Sequence, residues 1–215
     1  MTKKPRPGRP KADPARDLRG ELLATSRALL DEGGPTALSM REVARRAGCT
    51  HQAPYHYFAD RESILAALVA SGFDELASRL RQAHDLAATA GVRAALIASG
   101  LAYVTFALAQ PGVFRIMFRP DVCNPARFPD VMAAGARARS ELDRLNVIVH
   151  GDRARPSMAT LLWANVHGLA CLLVDGPLAA AFEARSQQQR HVEAVATDMA
   201  DLILGREMAR VDDHL

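Results

Sequence analysis

The chain has 215 residues, 49% apolar and only 5% aromatic, with 27 Lys and Arg against 24 Asp and Glu. That is long for one small module and apolar enough for a sizeable core, and its wealth of Ala and Leu favours helices over strands. No uninterrupted apolar run reaches the ~18 residues of a membrane-spanning helix, and no apolar stretch follows the basic N-terminus as a secretory signal requires, so neither a membrane anchor nor export is expected.

The net charge of +3 is uneven. Residues 1–61 hold 12 Lys and Arg against 7 Asp and Glu, whereas residues 62–215 hold 15 against 17. The excess of positive charge sits in the N-terminal part, where a phosphate-binding surface would need it. Much of it lies in residues 1–12, where Pro5, Pro7 and Pro10 forbid a helix and a disordered basic arm is expected. Within it, Gly8-Arg9-Pro10-Lys11 resembles the core of an AT-hook, which makes Arg9 a candidate for entering a minor groove. A solvated tail that adds only nonspecific attraction is the alternative.

Asp13-Pro14 supplies an N-cap and a proline at the first helical position. The helix it opens carries Leu18, Leu22, Leu29 and Leu30 on one face and ends at Gly33-Gly34. A second helix is expected over 40–47 behind Ser39 as N-cap. Ala44 is small enough for a close crossing, and Gly48 allows the positive φ that turns the chain. A third helix, over 51–58 with Thr50 as cap, presents His51, Gln52, Tyr55, His56 and Tyr57. Such donors, acceptors and planar rings suit an element lying in a major groove, so 39–62 reads as a helix-turn-helix. An ordinary corner between two helices has the same spacing.

Asp60 caps the next helix, in which Leu65, Leu68, Val69, Leu76 and Leu80 keep helical spacing to about Ala87. Further helices are expected over 92–110, 112–118, 130–150, 157–175 and 188–205, with Arg119–Pro129 as a proline-rich loop. The fold is thus expected to be all-α with about nine helices, divided as an arm (1–12), a three-helix head (13–60) and a helical body (61–210).

The stretch Gly33–Leu65, GGPTALSMREVARRAGCTHQAPYHYFADRESIL, resembles the DNA-binding domain of the TetR family of bacterial transcriptional regulators. The likeness spans about residues 16–70. It rests on the Ala-x3-Gly of the turn, the Tyr-x-x-Phe of the aromatic stretch and the Asp-Arg-Glu that opens the following helix. Two positions depart from the pattern: Pro54 stands where an aliphatic residue is usual, and Tyr57 where a histidine is. The resemblance implies that Tyr55, Tyr57 and Arg61 hold phosphates, with Arg41 and Thr50 as further DNA contacts. His51 and Gln52, polar and at the exposed start of the reading helix, are the candidates for base edges. The partner implied is double-stranded DNA, bound as a near-palindromic operator by a homodimer.

In the body, Leu162–Ala170, LWANVHGLA, resembles a TetR-associated C-terminal domain named for its Trp-His-Gly, matched by Trp163, His167 and Gly168. The family pairs its last two helices across a two-fold axis. The stripes Met158, Leu162, Asn165, Leu169, Leu172 and Val192, Val195, Met199, Leu202 suit that role, or face only the chain's own core. The likeness also implies an effector cavity between the helices over 92–110, 130–150 and 157–175. Its candidate residues are Tyr103, Phe106, Phe114, Met117, Phe118, Trp163 and His167, any of which could equally be core. With few charges about it, such a site favours a small apolar or aromatic compound over a sugar or phosphate.

His167 and Cys171 are four residues apart, a spacing metals use, but no third ligand accompanies them, and no metal or other cofactor is expected. There is no Gly-x-Ser-x-Gly, phosphate-cradling loop or His-Glu-x-x-His, so no enzyme activity is expected. Glu141 and Asp143, among Arg137, Arg139 and Arg144, read as a solvated charged face. The three cysteines, odd in number and scattered, suit a reduced, cytoplasmic protein, with Cys49 a packing residue rather than a redox switch. Three readings remain: a ligand-released repressor, a DNA-binding dimer controlled by a protein partner without a small ligand, and an enzyme with an appended DNA head.

Overall fold

The computed structural model describes residues 17–85 and 87–205. The basic arm with Arg9, and the helix start expected at Asp13-Pro14, lie outside the described residues. Among these residues there are eight α-helices, three short 3-10 turns and no strand.

Helix α1 (Leu18–Ala37) opens on Asp17, whose carboxylate accepts from the Gly20 N–H at 2.9 Å. Its regular course breaks at Gly34, whose φ of 67° only glycine adopts without strain. Helix α2 (Met40–Arg46) is capped by Ser39, whose hydroxyl accepts from the Glu42 N–H. Ala44 is fully buried at the crossing and Gly48 turns the chain at φ 64°.

The third element differs from expectation. In place of a helix over 51–58 there is a 3-10 turn, Ala53–His56. Pro54 is the cause. It has no N–H to return to Thr50, and its ring disfavours helical backbone at Ala53. The amides of Ala53, Tyr55 and Tyr57 therefore bond three residues back, to Thr50, Gln52 and Pro54. Thr50 contributes its carbonyl, and no side chain caps the turn.

Helix α3 (Arg61–Asp85) runs from this head into the body, its start fixed by Asp60 and Ser63, each side chain accepting from the other's N–H. The body adds α4 (Ala87–Ala109), α5 (Pro111–Met117), α6 (Pro129–His150), α7 (Pro156–Val174) and α8 (Arg185–Ile203). Gly91, at φ 84°, interrupts α4, so its continuous part begins at Val92 as the sequence suggested. The main core runs unbroken from head to body: Leu22, Leu30, Val43 and Leu65 join Phe106, Phe114 and Ile116 in one buried cluster.

By length and composition, α7 and residues 89–109 of α4 are each apolar enough to cross a membrane, contrary to expectation. Their few polar residues interrupt the apolar runs without lowering the average much. Within the chain α4 packs against α3, α7 and α8, and α7 against α4 and α6, which covers only part of each apolar window.

Candidate DNA-contact surface and body cavity

The head places His51, Gln52, Tyr55 and Tyr57 on its exposed surface, with Arg41 and Thr50 also exposed. Pro54 and Phe58, which flank the tyrosines in sequence, are buried, and Arg19 lies over the Phe58 ring. The 3-10 turn therefore anchors by its apolar residues and offers its polar ones outward. Not all the basic charge nearby is available. Arg45 and Arg46 both bond Glu42, and Arg46 reaches Glu32 as well. Hydrogen bonds from Arg45 and Arg46 hold the Glu42 carboxyl down at about 2.

Arg61 departs from its expected role. Its guanidinium donates to the backbone carbonyls of Leu38, at 2.8 Å, and Pro35. These carbonyls belong to the last turn of α1 and to its junction with α2, so the side chain braces the head instead of projecting toward a phosphate.

The body holds a partly open cavity of about 350 Å³ between α3, α4, α6, α7 and α8. Its wall is largely apolar, with Leu76, Leu96, Leu145, Leu162 and Met199 from the five helices. Of the aromatic candidates, Tyr103, Phe118 and Trp163 lie in this wall. The others sit behind it. Phe106 is fully buried beneath Arg79, Met117 lies close to Gly72, and Phe114 stacks edge-on against Tyr103 and Phe118. His167 packs on Phe114, Phe118 and Trp163.

The polar atoms of this aromatic group are spent on one another. Trp163 Nε1–H donates to the Tyr103 hydroxyl at 3.1 Å, and that hydroxyl shares a second hydrogen bond with His167 Nδ1 at 2.8 Å. His167 Nε2 lies 3.5 Å from Cys171 Sγ. Burial raises the Tyr103 pKa and lowers that of His167, which keeps the chain of bonds neutral. Among the described residues no third His, Cys, Asp or Glu joins His167 and Cys171 in a metal-holding group.

A second polar group went unread in the sequence. Glu141, expected on a solvated face, is 6% exposed. Its Oε1 accepts from Arg81 Nε at 2.9 Å and its Oε2 lies 3.1 Å from Nδ1 of His84, a buried residue of the cavity wall. Burial pushes the Glu141 carboxyl up, but the bonds from Arg81 and His84 outweigh it and leave it below its ordinary value. The signal was spacing: Glu141 falls in step with the buried Val131, Ala134, Ala138 and Leu145 of α6. Asp143, its neighbour, is the solvated one, paired with Arg139.

Head and cavity are joined through α5. Gly112 N–H donates to Asp31 of α1 at 2.7 Å, and a Cβ on Gly112 would meet the Leu30 carbonyl carbon at 2.6 Å. A few residues on, α5 ends in Phe118 of the cavity wall.

The stripes named for the dimer divide between core and surface. Leu162, Leu169 and Val192 are buried in the chain's own core, and Met199 lines the cavity. Asn165 and Leu172 of the α7 stripe are exposed, and Leu161, Ala164, Gly168 and Cys171 are exposed beside them. Leu202 of α8 is 69% exposed.

Comparison with known proteins agrees with this architecture. Residues 22–68 match the family described as bacterial regulatory proteins, tetR family, and residues 96–197 match the tetracyclin repressor-like, C-terminal domain, a span that includes Trp163, His167 and Gly168. No curated protein matches. A Rhodococcus sp. RHA1 protein of unknown function is 30% identical, with a TM-score of 0.72 over 92% of this chain and 98% of its own. A tetR-family regulatory protein from Rhodococcus RHA1 shares 16% identity, with a TM-score of 0.71 over 89% and 99%. AmtR of Mycobacterium smegmatis shares 23%, with a TM-score of 0.62 over 91% and 90%. With both halves matched, a relative aligned along nearly its whole length and an exposed helix-turn-helix in place, the chain belongs to the TetR family of DNA-binding transcriptional regulators.

Proposed function

We propose that the protein is a cytoplasmic, dimeric repressor, released from a near-palindromic operator when a small apolar or aromatic effector enters the body cavity. The observation that carries this reading is the cavity itself. At about 350 Å³ it is of small-molecule size, and its wall is apolar with a few polar groups. The alternative of a partner-controlled regulator without a small ligand gives no account of that space. On this reading residues 13–60 form the DNA head, 61–210 the ligand and dimer body, and the arm with Arg9 adds contacts beside the operator.

In the head, Gln52 and His51 read base edges, while Tyr55, Tyr57, Arg41 and Thr50 hold the backbone. The dimer forms through the last two helices, chiefly the exposed face of α7. Among the described residues, nothing beyond its own stretch of helix lies within 4 Å of a Cβ placed on Gly168, which leaves room for a second copy's backbone.

The mechanism is a population shift. An effector that prefers a conformation with misaligned heads displaces DNA, and one equally at home in both conformations does not. The path runs from Phe118 in the cavity wall along α5 to the Asp31–Gly112 contact, with α3 as the second arm.

The test is to sequence DNA fragments selected by the purified protein, then screen apolar and aromatic compounds for thermal stabilisation and operator release. Gln52→Ala is expected to relax sequence choice and cost roughly 1–3 kcal/mol of binding. Trp163→Ala is expected to abolish release while leaving DNA binding in place. If no compound both stabilises the protein and frees the operator, the partner-controlled reading replaces this one.

A further inference from the structure

The cavity wall carries a buried nitrogen that has no hydrogen-bond partner among the described residues: Nε2 of His84. The His84 side chain is fully buried at the end of α3. Its other nitrogen, Nδ1, meets Oε2 of Glu141, whose Oε1 accepts from Arg81 and whose Oε2 also lies 3.7 Å from Arg144. Two guanidinium groups keep that carboxylate ionised, and an ionised carboxylate only accepts. Nδ1 must therefore carry the proton it shares with Glu141. Burial opposes a second proton on the ring and outweighs the pull of Glu141, so His84 is neutral. A neutral ring protonated at Nδ1 presents Nε2 as a bare lone pair, an acceptor only.

No other side-chain acceptor in the wall, among the described residues, is left without a hydrogen bond. The Tyr103 hydroxyl and Trp163 Nε1–H are bound within their own chain. Ser99 donates its hydroxyl hydrogen to the Ala95 carbonyl at 2.7 Å, so its oxygen, though still an acceptor, already has one hydrogen bond, which Nε2 of His84 lacks. Arg139 is paired with Asp143. The rest of the wall is apolar or, like Gly100 and Gly135, bears no side chain.

We propose that the cavity selects effectors with a hydrogen-bond donor, a hydroxyl or N–H, on an otherwise apolar frame, and that His84 Nε2 is the acceptor that selects them. This rests on the reading of the cavity as the effector site. It narrows that reading from apolar compounds in general to apolar alcohols, phenols and amines. Glu141 and Arg81 act as positioning residues, fixing the tautomer without touching the effector. A group that only accepts, such as an ether or ketone oxygen, meets a lone pair with a lone pair and is disfavoured.

The experiment compares 2-naphthol with 2-methoxynaphthalene, which share a frame but not a donor, by calorimetric titration of the full chain. The phenol is expected to bind about tenfold more tightly, the value of one buried hydrogen bond. In His84→Phe that preference is expected to vanish while both compounds still bind. Equal affinity in the wild-type protein, or a preference that survives in His84→Phe, overturns the donor inference and leaves the effector site standing. If neither compound binds, the effector-site reading falls, and the inference with it. Nitrogen NMR of the His84 ring gives a readout independent of any ligand and of the variant's folding. Protonation at Nδ1 with a bare Nε2 is expected, and the opposite tautomer overturns the proposal.

Discussion

Asp31 of α1 accepts a 2.7 Å hydrogen bond from the backbone N–H of Gly112, in the first turn of α5. It thereby satisfies an amide that the helix start leaves without an intrahelical partner. The pair joins the DNA head to the element that borders the cavity, at a point where two backbones nearly touch. Gly112→Ala would drive a methyl group against the Leu30–Asp31 backbone, which cannot yield as a side chain can. The expected cost is about 1–3 kcal/mol of stability. Asp31→Ala should cost about 1 kcal/mol, the value of a lost cap. Urea unfolding of both variants checks this. A Gly112→Ala protein as stable as the parent would mean that α1 and α5 are not in contact as described.

Arg61 gives a second prediction because its family-derived role and its observed contacts disagree. Donating to the carbonyls of Leu38 and Pro35, it should behave as a structural residue. Arg61→Ala is expected to lower unfolding stability by about 1–3 kcal/mol, since two partly buried carbonyls lose a charged donor. The salt dependence of DNA binding, measured on the folded fraction, should stay close to that of the parent. A flattened salt slope with unchanged stability would restore Arg61 as a phosphate contact.

The contrast shows what the sequence made legible. Helix positions followed from punctuation that acts locally. Ser39 and Asp60 cap through their side chains, and Gly34 and Gly48 turn through their own backbone. The body helices lie within a few residues of their expected ends for the same reason. What escaped depends on how helices rotate against each other. The reading element shrank to a 3-10 turn because one proline removed one amide. Glu141, between basic neighbours in sequence, faces inward because α6 presents it to α3. Tyr103, Phe118 and Trp163 were named for a cavity they do line. Their polar atoms turned out to be bonded to one another, and the free nitrogen belongs to His84, on a helix not expected to border the site.

The His84–Glu141 pair predicts how stability responds to acid. Burial lowers the His84 pKa below its ordinary 6.5, and Glu141 only partly offsets this. Glu141 also sits below its ordinary 4.5, because the bonds from Arg81 and His84 exceed the effect of burial. When the folded pKa is the lower one, the unfolded chain takes up the proton first as pH falls. Both groups therefore contribute stability above their unfolded values and lose it on acidification. For His84 the loss begins near pH 6.5, and for Glu141 near pH 4.5. Unfolding free energies measured from pH 8 to 5 should decline, and the decline should be shallower in His84→Gln. An unchanged slope in that variant would show that His84 titrates normally in the folded protein.

The exposed face of α7 yields the last prediction. Leu161 and Leu172 are 63% and 43% exposed, and the small residues Ala164, Gly168 and Cys171 lie on the same side. Large apolar side chains flanking a row of small ones let two helices approach closely and bury area on both. If this is the dimer face, a charge there is repeated by symmetry, so each copy meets its own like charge across the axis. Leu161→Glu is expected to give a folded monomer by light scattering at micromolar concentration, with operator binding weakened because one head reads only half a site. Leu162→Glu, one residue away, points into the cavity wall and should unfold the body instead. The two neighbours thus separate interface from core. A Leu161→Glu protein that remains dimeric would place the two-fold axis elsewhere, with the exposed Leu202 of α8 as the next position to charge.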